Sequence, residues 1–592
     1  MSEALFQIDN LKVAYPQVNT SRQLRWAVDN VSLTLRPGER LGLVGESGCG
    51  KSTLGRAAMR LLPASTYIEG RVTFGGQSVF ELTKAQLRKF RGEAVALVFQ
   101  DPMTRLNPLM TIGNHCIETL KAHKPQLSLL EAKSQAITTL AAVKIPASRW
   151  SQYPHEFSGG MRQRVAIALA LLLDPKLIVA DEPTTSLDVT VAAQILQELT
   201  RLCHEREMSL LLISHNLALV GEYCDTIAVM YGGKVVEIAP SQSLLQQPQH
   251  EYTRSLLQAA LHIRSCSVQE QGVMGEEPTF ALAATPRATL FASSKDDALT
   301  QFGKNPFPKK PLSLLLRVQD LQQHYTLERN FVAQLLKQDG PQVIKAVDGV
   351  DLDLYAGEIL GLVGESGCGK STLSRTILQL IRPTAGRVEL QGTDLTTLSR
   401  HSLQKWRRQM QMVFQDPHAC LNPVMTVGRS IADPLFIHKL ANPEQAKIRV
   451  LQMLERVGLT PPSEYYDRYP GELSGGQQQR VAIARALITH PKLLICDEPV
   501  SMLDASIQTQ VLELMLELKR EFELTYLFIT HDLWVARFFC DRIAVMNAGR
   551  IVELGPTHEI FSNPQHSYTK TLLQAAPLLK RAVLEQGEND DS

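Results

Sequence analysis

The chain has 592 residues, of which 44% are hydrophobic and 20% charged, so it has enough apolar material for packed cores and is not a disordered or fibrous chain. Its 61 Lys and Arg residues nearly balance 60 Asp and Glu residues, and the net charge of +1 argues against binding nucleic acid by overall positive charge. The apolar stretches are far shorter than the roughly 18 residues of a membrane-spanning helix, and the first residues lack the basic and apolar segments of a signal peptide.

The first informative element is a short apolar strand followed by a glycine-rich loop. Residues 41–44 read as a buried strand, and the loop after it has the pattern G-x-x-x-x-G-K-S of a P-loop. Glycines let backbone N–H groups surround phosphates, and the helix that follows adds its positive end. Lys51 would reach the β- and γ-phosphates, and Ser52 would ligate Mg²⁺. The predicted nucleotide-binding residues here are Gly45, Ser47, Gly48, Cys49, Gly50, Lys51, Ser52 and Thr53.

A second glycine motif follows a region that is rich in helix-forming residues. The stretch 129–143 predicts a helical insertion in an otherwise α/β domain. Ser158, Gly159 and Gly160 then open another helix, and a Ser-Gly-Gly turn at a helix N-terminus forms a second anion site. This part of the chain therefore has two predicted phosphate-binding helix starts, one more than a single P-loop nucleotide site requires.

Two further apolar strands end in residues that suit phosphoryl transfer. Asp181 and Glu182 follow the strand 177–180, where the first carboxylate would hold the Mg²⁺ shell and the second would polarise the attacking water. His215 follows the strand 210–213. A lone His is usually structural, but its 34-residue distance from the acidic pair recurs later in the chain and favours a functional role. Continuous apolar strands of this kind predict a largely parallel sheet with both faces covered.

All of these motifs occur twice, in the same order. Lys51 recurs as Lys370, an offset of 319, and His215 recurs as His531, an offset of 316. The predicted nucleotide-binding, catalytic and metal-binding residues of the second copy are Gly364, Ser366, Gly367, Cys368, Gly369, Lys370, Ser371, Thr372, Ser474, Gly475, Gly476, Gln477, Asp497, Glu498 and His531.

The stretch between the two copies has neither helical nor strand periodicity. Residues 262–311 contain six Lys or Arg and five Asp or Glu and carry Pro and Gly, which is typical of a flexible linker. We therefore predict two copies of one α/β domain at residues 1–261 and 312–582, a linker at 262–311 and a disordered tail at 583–592.

The combination of motifs resembles the ATP-binding cassette (ABC) ATPases, whose signature is L-S-G-G-Q. The resemblance implies two P-loop nucleotide-binding domains in tandem, each with a RecA-like core and a helical subdomain, that bind ATP and Mg²⁺. In that family, the signature of one domain closes over the P-loop nucleotide of the other, so Ser474 and Gly476 would face the site of Lys51, and Ser158 and Gly160 that of Lys370.

The resemblance also assigns roles to four further residues. Gln100 and Gln415 match the Q-loop glutamine, which contacts the metal and couples the site to a partner. Tyr15 and Tyr325 match the aromatic residue that stacks on adenine, although an early Tyr taken alone is more often a core residue.

The sequence departs from the family pattern at two positions. Met161 replaces the usual Gln of the first signature, and Met502 lies inside the second D-loop. Because both acidic pairs and both histidines are retained, we predict two hydrolytic sites.

Several segments look like those of the peptide/nickel importers. These are the stretches 99–108 and 414–423, with Leu-Asn-Pro after the Q-loop, Tyr-Pro-x-Glu before each signature and the Tyr-Thr-x-x-Leu-Leu tails. The likeness implies two separate transmembrane permease subunits, a solute-binding protein acting upstream, no nucleic-acid partner, and a peripheral location at the cytoplasmic face of the inner membrane. It leaves dipeptide, oligopeptide, glutathione and nickel open as cargo.

The importer interpretation has two alternatives. In the first, Leu-Asn-Pro only shapes a turn and does not indicate a permease partner. An ABC-F-like ribosome factor would carry a long, strongly charged helical linker, whereas this linker is nearly neutral. Many peptide importer subunits end in a Cys-rich tail that binds an iron–sulfur cluster, but Cys266 is the only Cys after Tyr252 before the next half, and none follows Tyr568, so we predict no cluster.

Overall fold

The computed structural model describes residues 4–16, 26–99, 106–184, 187, 189–265, 313–327, 342–503 and 505–575. These residues form two compact units, which consist mainly of residues 1–260 and of residues 261–501 with 509–570. Gln100, the tail 583–592 and most of the predicted linker lie outside the described residues. Where the structure describes the chain, no helix combines the length and apolar character needed to cross a membrane.

Each unit contains two sheets. In the first unit, the six-stranded sheet has the order β10-β9-β3-β8-β7-β6, and the four-stranded sheet has the order β2-β1-β4-β5. The strands are β1 Phe6–Ala14, β2 Trp26–Leu35, β3 Arg40–Val44, β4 Tyr67–Phe74, β5 Gln77–Ser78, β6 Val95–Val98, β7 Leu177–Asp181, β8 Ser209–Ser214, β9 Thr226–Tyr231 and β10 Lys234–Pro240.

The second unit repeats this topology. Its six-stranded sheet has the order β16-β17-β18-β13-β19-β20, and its four-stranded sheet has the order β12-β11-β14-β15. The strands are β11 Leu314–Leu327, β12 Gln342–Tyr355, β13 Ile359–Val363, β14 Ala385–Leu390, β15 Thr393–Asp394, β16 Met410–Val413, β17 Leu493–Asp497, β18 Thr525–Thr530, β19 Arg542–Asn547 and β20 Arg550–Pro556.

Each of the nine helices described in the first unit has a counterpart in the second, which has two more short helices. Those of the first unit are α1 Lys51–Ala58, α2 Lys84–Lys89, α3 Ile112–His123, α4 Leu129–Ala142, α5 Gly159–Leu171, α6 Val189–Glu205, α7 Leu217–Tyr223, α8 Ser241–Gln246 and α9 Glu251–Ser265. Those of the second are α10 Lys370–Ile377, α11 Arg400–Arg407, α12 Pro417–Cys420, α13 Val427–Ile437, α14 Pro443–Arg456, α15 Pro462–Tyr466, α16 Gly475–Leu487, α17 Ala505–Phe522, α18 Leu533–Phe539, α19 Thr557–Ser562 and α20 Ser567–Ala575.

The largely parallel sheet predicted from the apolar runs is confirmed. In the first unit β3 pairs in parallel with β8 and β9, and β7 with β6 and β8, while only β10 runs antiparallel. The second unit has the same pairing. The predicted helical insertion is confirmed as well, since α3, α4 and α5 pack together outside the sheet. Helix α9 continues four residues beyond the predicted linker boundary.

The four-stranded antiparallel sheets were not predicted. In the first unit the core lies between the two sheets and includes Leu11 and Val31 from one sheet and Leu43 and Ile213 from the other, with Leu54 of α1 between them. The second unit builds an equivalent core. Because β3, β7 and β8 are parallel neighbours, their carboxyl ends meet at one edge, where open α/β sheets bind ligands.

Candidate active site

Each P-loop connects a central strand of its sheet to a helix, and the glycine directly before that helix has no room for a side chain. Gly50 caps α1 with φ 105°, and a Cβ added there would meet the carbonyl oxygen of Ala27 at 2.2 Å. Gly369 caps α10 with φ 110°, and its Cβ would meet the carbonyl oxygen of Ala346 at 2.0 Å. These close approaches fix the loop backbone at each helix start, and free N–H groups at a helix N-terminus are suited to binding an anion.

The P-loop lysines are buried and turned toward their own loops. Lys51 Nζ donates to the carbonyl oxygens of Gly45 at 2.7 Å and Glu46 at 2.9 Å. Lys370 Nζ makes the equivalent bonds, at 2.7 Å to Gly364 and 3.0 Å to Glu365. Phosphate oxygens of a bound nucleotide would compete with these carbonyls for the ammonium protons.

The structure brings the predicted metal-binding pairs together. Ser52 Oγ donates to Asp181 Oδ1 at 2.7 Å, and Ser371 Oγ donates to Asp497 Oδ1 at 3.2 Å. Burial raises the pKa of Asp181, against the lowering effects of Ser52 and Arg56, and burial likewise raises the pKa of Asp497. In the described ranges, no group of three or more His, Cys, Asp or Glu side chains could hold a metal ion by itself.

The predicted water-activating glutamates contact the predicted histidines. His215 Nδ1 lies 3.5 Å from Glu182 Oε1, and His531 Nδ1 lies 3.0 Å from Glu498 Oε2. Gln415 Nε2 also donates to Glu498 Oε2, at 2.7 Å. Burial opposes ionisation of Glu498, but the hydrogen bond and charge of His531 hold the pKa of this carboxyl below its ordinary value.

Both glutamates have left-handed backbone conformations, which the sequence did not reveal. Glu182 has φ 48° and Glu498 has φ 49°. The N–H of each continues the strand pairing by one bond, to the carbonyl oxygens of Ile213 and Ile529, both at 2.9 Å. A non-glycine residue in this region costs about 1–3 kcal/mol and recurs at functional sites. The turn directs each carboxylate away from the strand and toward the adjacent histidine.

The two signature helices differ in how their first turns are capped. Ser158 caps α5 by accepting the N–H of Met161 at 3.5 Å, and Ser474 caps α16 by accepting the N–H of Gln477 at 3.3 Å. Gln477 Oε1 also accepts the N–H of Ser474 at 3.0 Å, which completes a capping box. Met161 has no polar atom for this second bond. The signature glycines at positions 159, 160, 475 and 476 form the first turns of these helices.

The two predicted adenine-stacking tyrosines are both exposed and lie near the end of the first strand of each unit, and their stacking role stays a prediction. Tyr15 follows β1, and its hydroxyl lies 3.2 Å from Thr53 Oγ1, beside the P-loop. Tyr325 lies within β11 and is partly exposed. Gln100, the partner of Gln415 by motif, lies outside the described residues, and the D-loop residue Met502 is exposed.

One contact of the P-loops was not predicted. The hydroxyl of Tyr252 accepts the N–H of Glu46 at 3.2 Å, and that of Tyr568 accepts the N–H of Glu365 at 3.1 Å. The only signal in the sequence was that His-x-Tyr-Thr recurs in both tails.

Two family models match the chain. The model described as ABC transporter matches residues 28–185 and 347–501, which contain both P-loops and both signatures. The model described as oligopeptide/dipeptide transporter, C-terminal region, matches residues 236–291 and 552–589.

Similar proteins cover almost the whole chain. The glutathione import ATP-binding protein GsiA of Escherichia coli (strain K12) is 41% identical over 583 residues, which are 96% of this chain and 89% of that protein. The protein of the same name from Pectobacterium atrosepticum is 40% identical over 588 residues, with shares of 97% and 89%.

Solved structures match single halves. The ATP-binding cassette MJ0796, in a post-hydrolysis dimer with ADP and Pi, is 30% identical, covers 41% of this chain and 99% of its own, and has a TM-score of 0.36. The protein cbiO1 of Clostridium perfringens is 28% identical, with shares of 46% and 99% and a TM-score of 0.37.

Each half thus carries the P-loop, acidic pair and histidine of an ATP-hydrolysing domain, within a chain that resembles import ATP-binding proteins over nearly its full length. The protein binds and hydrolyses ATP as the energy-coupling subunit of a peptide-type importer. With both halves matched to one description and relatives 41% identical along 96% of its residues, the chain belongs to the ABC transporter family.

Proposed function

We propose that this chain powers the import of glutathione or a closely related short peptide. The observation that carries the proposal is that the similarity to glutathione import ATP-binding proteins spans 96% of the chain, including both P-loops and both tail regions. Nickel and longer oligopeptides, which the motifs alone left open, are the competing cargoes.

The residues of each half divide the chemistry between them. Lys51 and Lys370 bind the β- and γ-phosphates, and the P-loop backbone N–H groups hold the remaining oxygens. Glu182 and Glu498 accept a hydrogen bond from the attacking water, and the adjacent histidines keep each carboxylate oriented. Phosphoryl transfer depends mainly on positioning and charge neutralisation, which this arrangement supplies.

We further propose that each ATP lies between the P-loop of one half and the signature helix of the other. The helix N-termini capped by Ser158 and Ser474 would supply the second set of N–H donors for the γ-phosphate. Joining both halves in one chain raises their effective concentration, so this closure is intramolecular. ATP binding closes the halves, and hydrolysis with phosphate release reopens them.

The residues present fit a magnesium ion. A serine hydroxyl and a carboxylate in contact, Ser52 with Asp181 and Ser371 with Asp497, are hard oxygen donors, and Mg²⁺ takes its other ligands from phosphates and water. Bound there, the ion would neutralise charge on the β- and γ-phosphates. A buried carboxylate with a raised pKa gains stability from an adjacent cation, which supports this assignment.

The turns after the Q-loops fit a docking role for a permease. Asn107 and Asn422 shape them by accepting the N–H groups of Leu109 and Val424, at 3.0 and 3.1 Å. These two apolar side chains are 85% and 79% exposed at equivalent positions. The recurrence of an exposed apolar side chain at the same position of both turns supports contact with a partner. We propose two transmembrane permease subunits as these partners, at the cytoplasmic face of the inner membrane, with a solute-binding protein upstream.

Uptake in whole cells tests the cargo. A strain lacking this chain is complemented with the wild type or with the double variant Glu182→Gln/Glu498→Gln, and uptake of labelled glutathione, a dipeptide, a pentapeptide and Ni²⁺ is measured. We expect the wild type alone to restore glutathione uptake. Restoration of pentapeptide or Ni²⁺ uptake without glutathione or dipeptide uptake would refute the proposed cargo.

Affinity purification in mild detergent tests the partners. We expect mass spectrometry to identify two polytopic permeases with the wild type, and their loss with Leu109→Asp/Val424→Asp, which leaves nucleotide binding intact. Recovery of ribosomal proteins without a permease would instead support the translation-factor alternative.

A further inference from the structure

A tyrosine from the C-terminal part of each half reaches back to the P-loop. Tyr252, near the start of α9, accepts the N–H of Glu46 at 3.2 Å, although 206 residues separate them. Tyr568, near the start of α20, accepts the N–H of Glu365 at 3.1 Å. Both tyrosines fall within the region matched to the oligopeptide/dipeptide transporter C-terminal model, and the contact is therefore present twice in one chain.

The bond acts on the peptide group that positions the P-loop lysine. Glu46 N–H and the carbonyl oxygen of Gly45 belong to the same planar peptide unit. Tyr252 holds the N–H side of that unit, and Lys51 Nζ holds the carbonyl side at 2.7 Å. Rotation of this peptide would break both bonds together. The second half repeats the arrangement with Gly364, Glu365, Lys370 and Tyr568.

The tyrosines are themselves fixed by a short chain of hydrogen bonds. Glu237 on β10 accepts the N–H groups of Gln249 and His250, at 2.8 and 3.0 Å. His250 Nδ1 in turn accepts the N–H of Tyr252 at 3.1 Å, and the ring of Tyr231 lies 4.2 Å from that of Tyr252. The same bonds occur in the second half, at 2.8, 3.0 and 3.1 Å, among Glu553, Gln565, His566 and Tyr568.

We propose that Tyr252 and Tyr568 are positioning residues for ATP binding, which act on Lys51 and Lys370 through the first peptide group of each P-loop. The hydroxyl keeps that peptide in the orientation that presents the lysine to the phosphates. The C-terminal region of each half is thereby coupled to its nucleotide site. The inference depends on ATP binding at the P-loops and not on the cargo, so failure of glutathione uptake would leave it unaffected.

The test removes the two hydroxyls and keeps the rings. The full chain is purified as wild type and as Tyr252→Phe/Tyr568→Phe, and KM and kcat for ATP are measured beside the thermal unfolding midpoint. A net intramolecular hydrogen bond contributes about 0.5–1.5 kcal/mol, so we expect KM to rise about 3- to 10-fold. We expect kcat to stay within twofold and the unfolding midpoint to fall by no more than about 4 °C, so that the fold is intact at the assay temperature.

Two further variants separate positioning from structure. Tyr231→Phe is the matched control, since that ring packs on Tyr252, and it should leave KM unchanged. His250→Ala/His566→Ala frees the tyrosine backbone and should raise KM in the same direction by a smaller factor. The proposal is overturned if KM of the Phe variant equals that of the wild type. It is also overturned if the Phe variant fails to fold while the His variant has wild-type KM.

Discussion

Replacing Glu498 by Gln tests the catalytic assignment most directly. The carboxylate lies 3.0 Å from His531 Nδ1 and accepts Gln415 Nε2 at 2.7 Å. Gln has the same length and shape as Glu, so the left-handed backbone at this position and the packing around it are retained. What changes is that the side chain no longer has two acceptor oxygens and cannot take a proton from water. Glu182→Gln makes the same change in the first half.

The expected loss is large. A positioned general base contributes about 10²- to 10⁴-fold to a rate, which corresponds to about 3–5 kcal/mol of barrier. The Glu–His distances of 3.5 and 3.0 Å and the matching φ values of 48° and 49° predict that both sites turn over. We expect each single variant to lose most of the wild-type turnover and the double variant to retain less than about a hundredth of it.

The assay is steady-state ATP hydrolysis by the full chain, with nucleotide binding measured on the same samples. ATP binding should persist in all three variants, because the P-loops are unchanged. If either single variant kept near-wild-type turnover, the glutamate it replaces would not be catalytic and the symmetry of the two sites would be only structural.

Two other predictions concern stability, and both are measured by urea unfolding. Met161→Gln completes the capping box of the first signature helix and should stabilise its half by about 0.5–1 kcal/mol. Gln477→Met should destabilise the other half by a similar amount. Equal unfolding midpoints for the wild type and both variants would contradict this prediction. Glu198 lies buried against Arg201 and Lys144, at 2.7 and 3.1 Å, so Glu198→Gln should cost about 1 kcal/mol. Burial tends to raise the pKa of Glu198, but these partners hold it below its ordinary value. The stability lost on Glu198→Gln should therefore be full at neutral pH and vanish as pH falls through that lowered pKa. A loss that is the same at every pH would refute the assignment.

The parts of the fold that are buried on both faces could be predicted from the sequence. Strands β3, β7 and β8 are continuous apolar runs, and their burial is nearly complete in the structure. The antiparallel sheet could not be predicted, because strands such as β4 expose most of their side chains and have no apolar run. Their pairing depends on β1, which is separated from β4 by the P-loop helix.

Some residues of the candidate site could be predicted from the sequence and others could not. The placement of residues held by a local motif, such as Lys51, Ser52 and Ser158, could be predicted because loop and helix geometry follow from adjacent glycines, and their chemical roles stay predictions. The contact of Tyr252 with Glu46 could not, since it joins residues 206 positions apart and depends on the packing of α9. The left-handed backbone of Glu182 was also hidden, because it arises from the strand bond to Ile213 and not from any local preference of Glu.

The left-handed conformation of Glu182 and Glu498 sets a limit on how this protein can be improved. Glycine at either position would release the backbone strain of about 1–3 kcal/mol and at the same time remove the carboxylate that we propose activates water. A library screened only for heat resistance would therefore enrich chains that bind ATP without hydrolysing it. Directed evolution of this importer subunit has to select on ATP turnover, because thermal stability and the proposed catalysis place opposite demands on the same two residues.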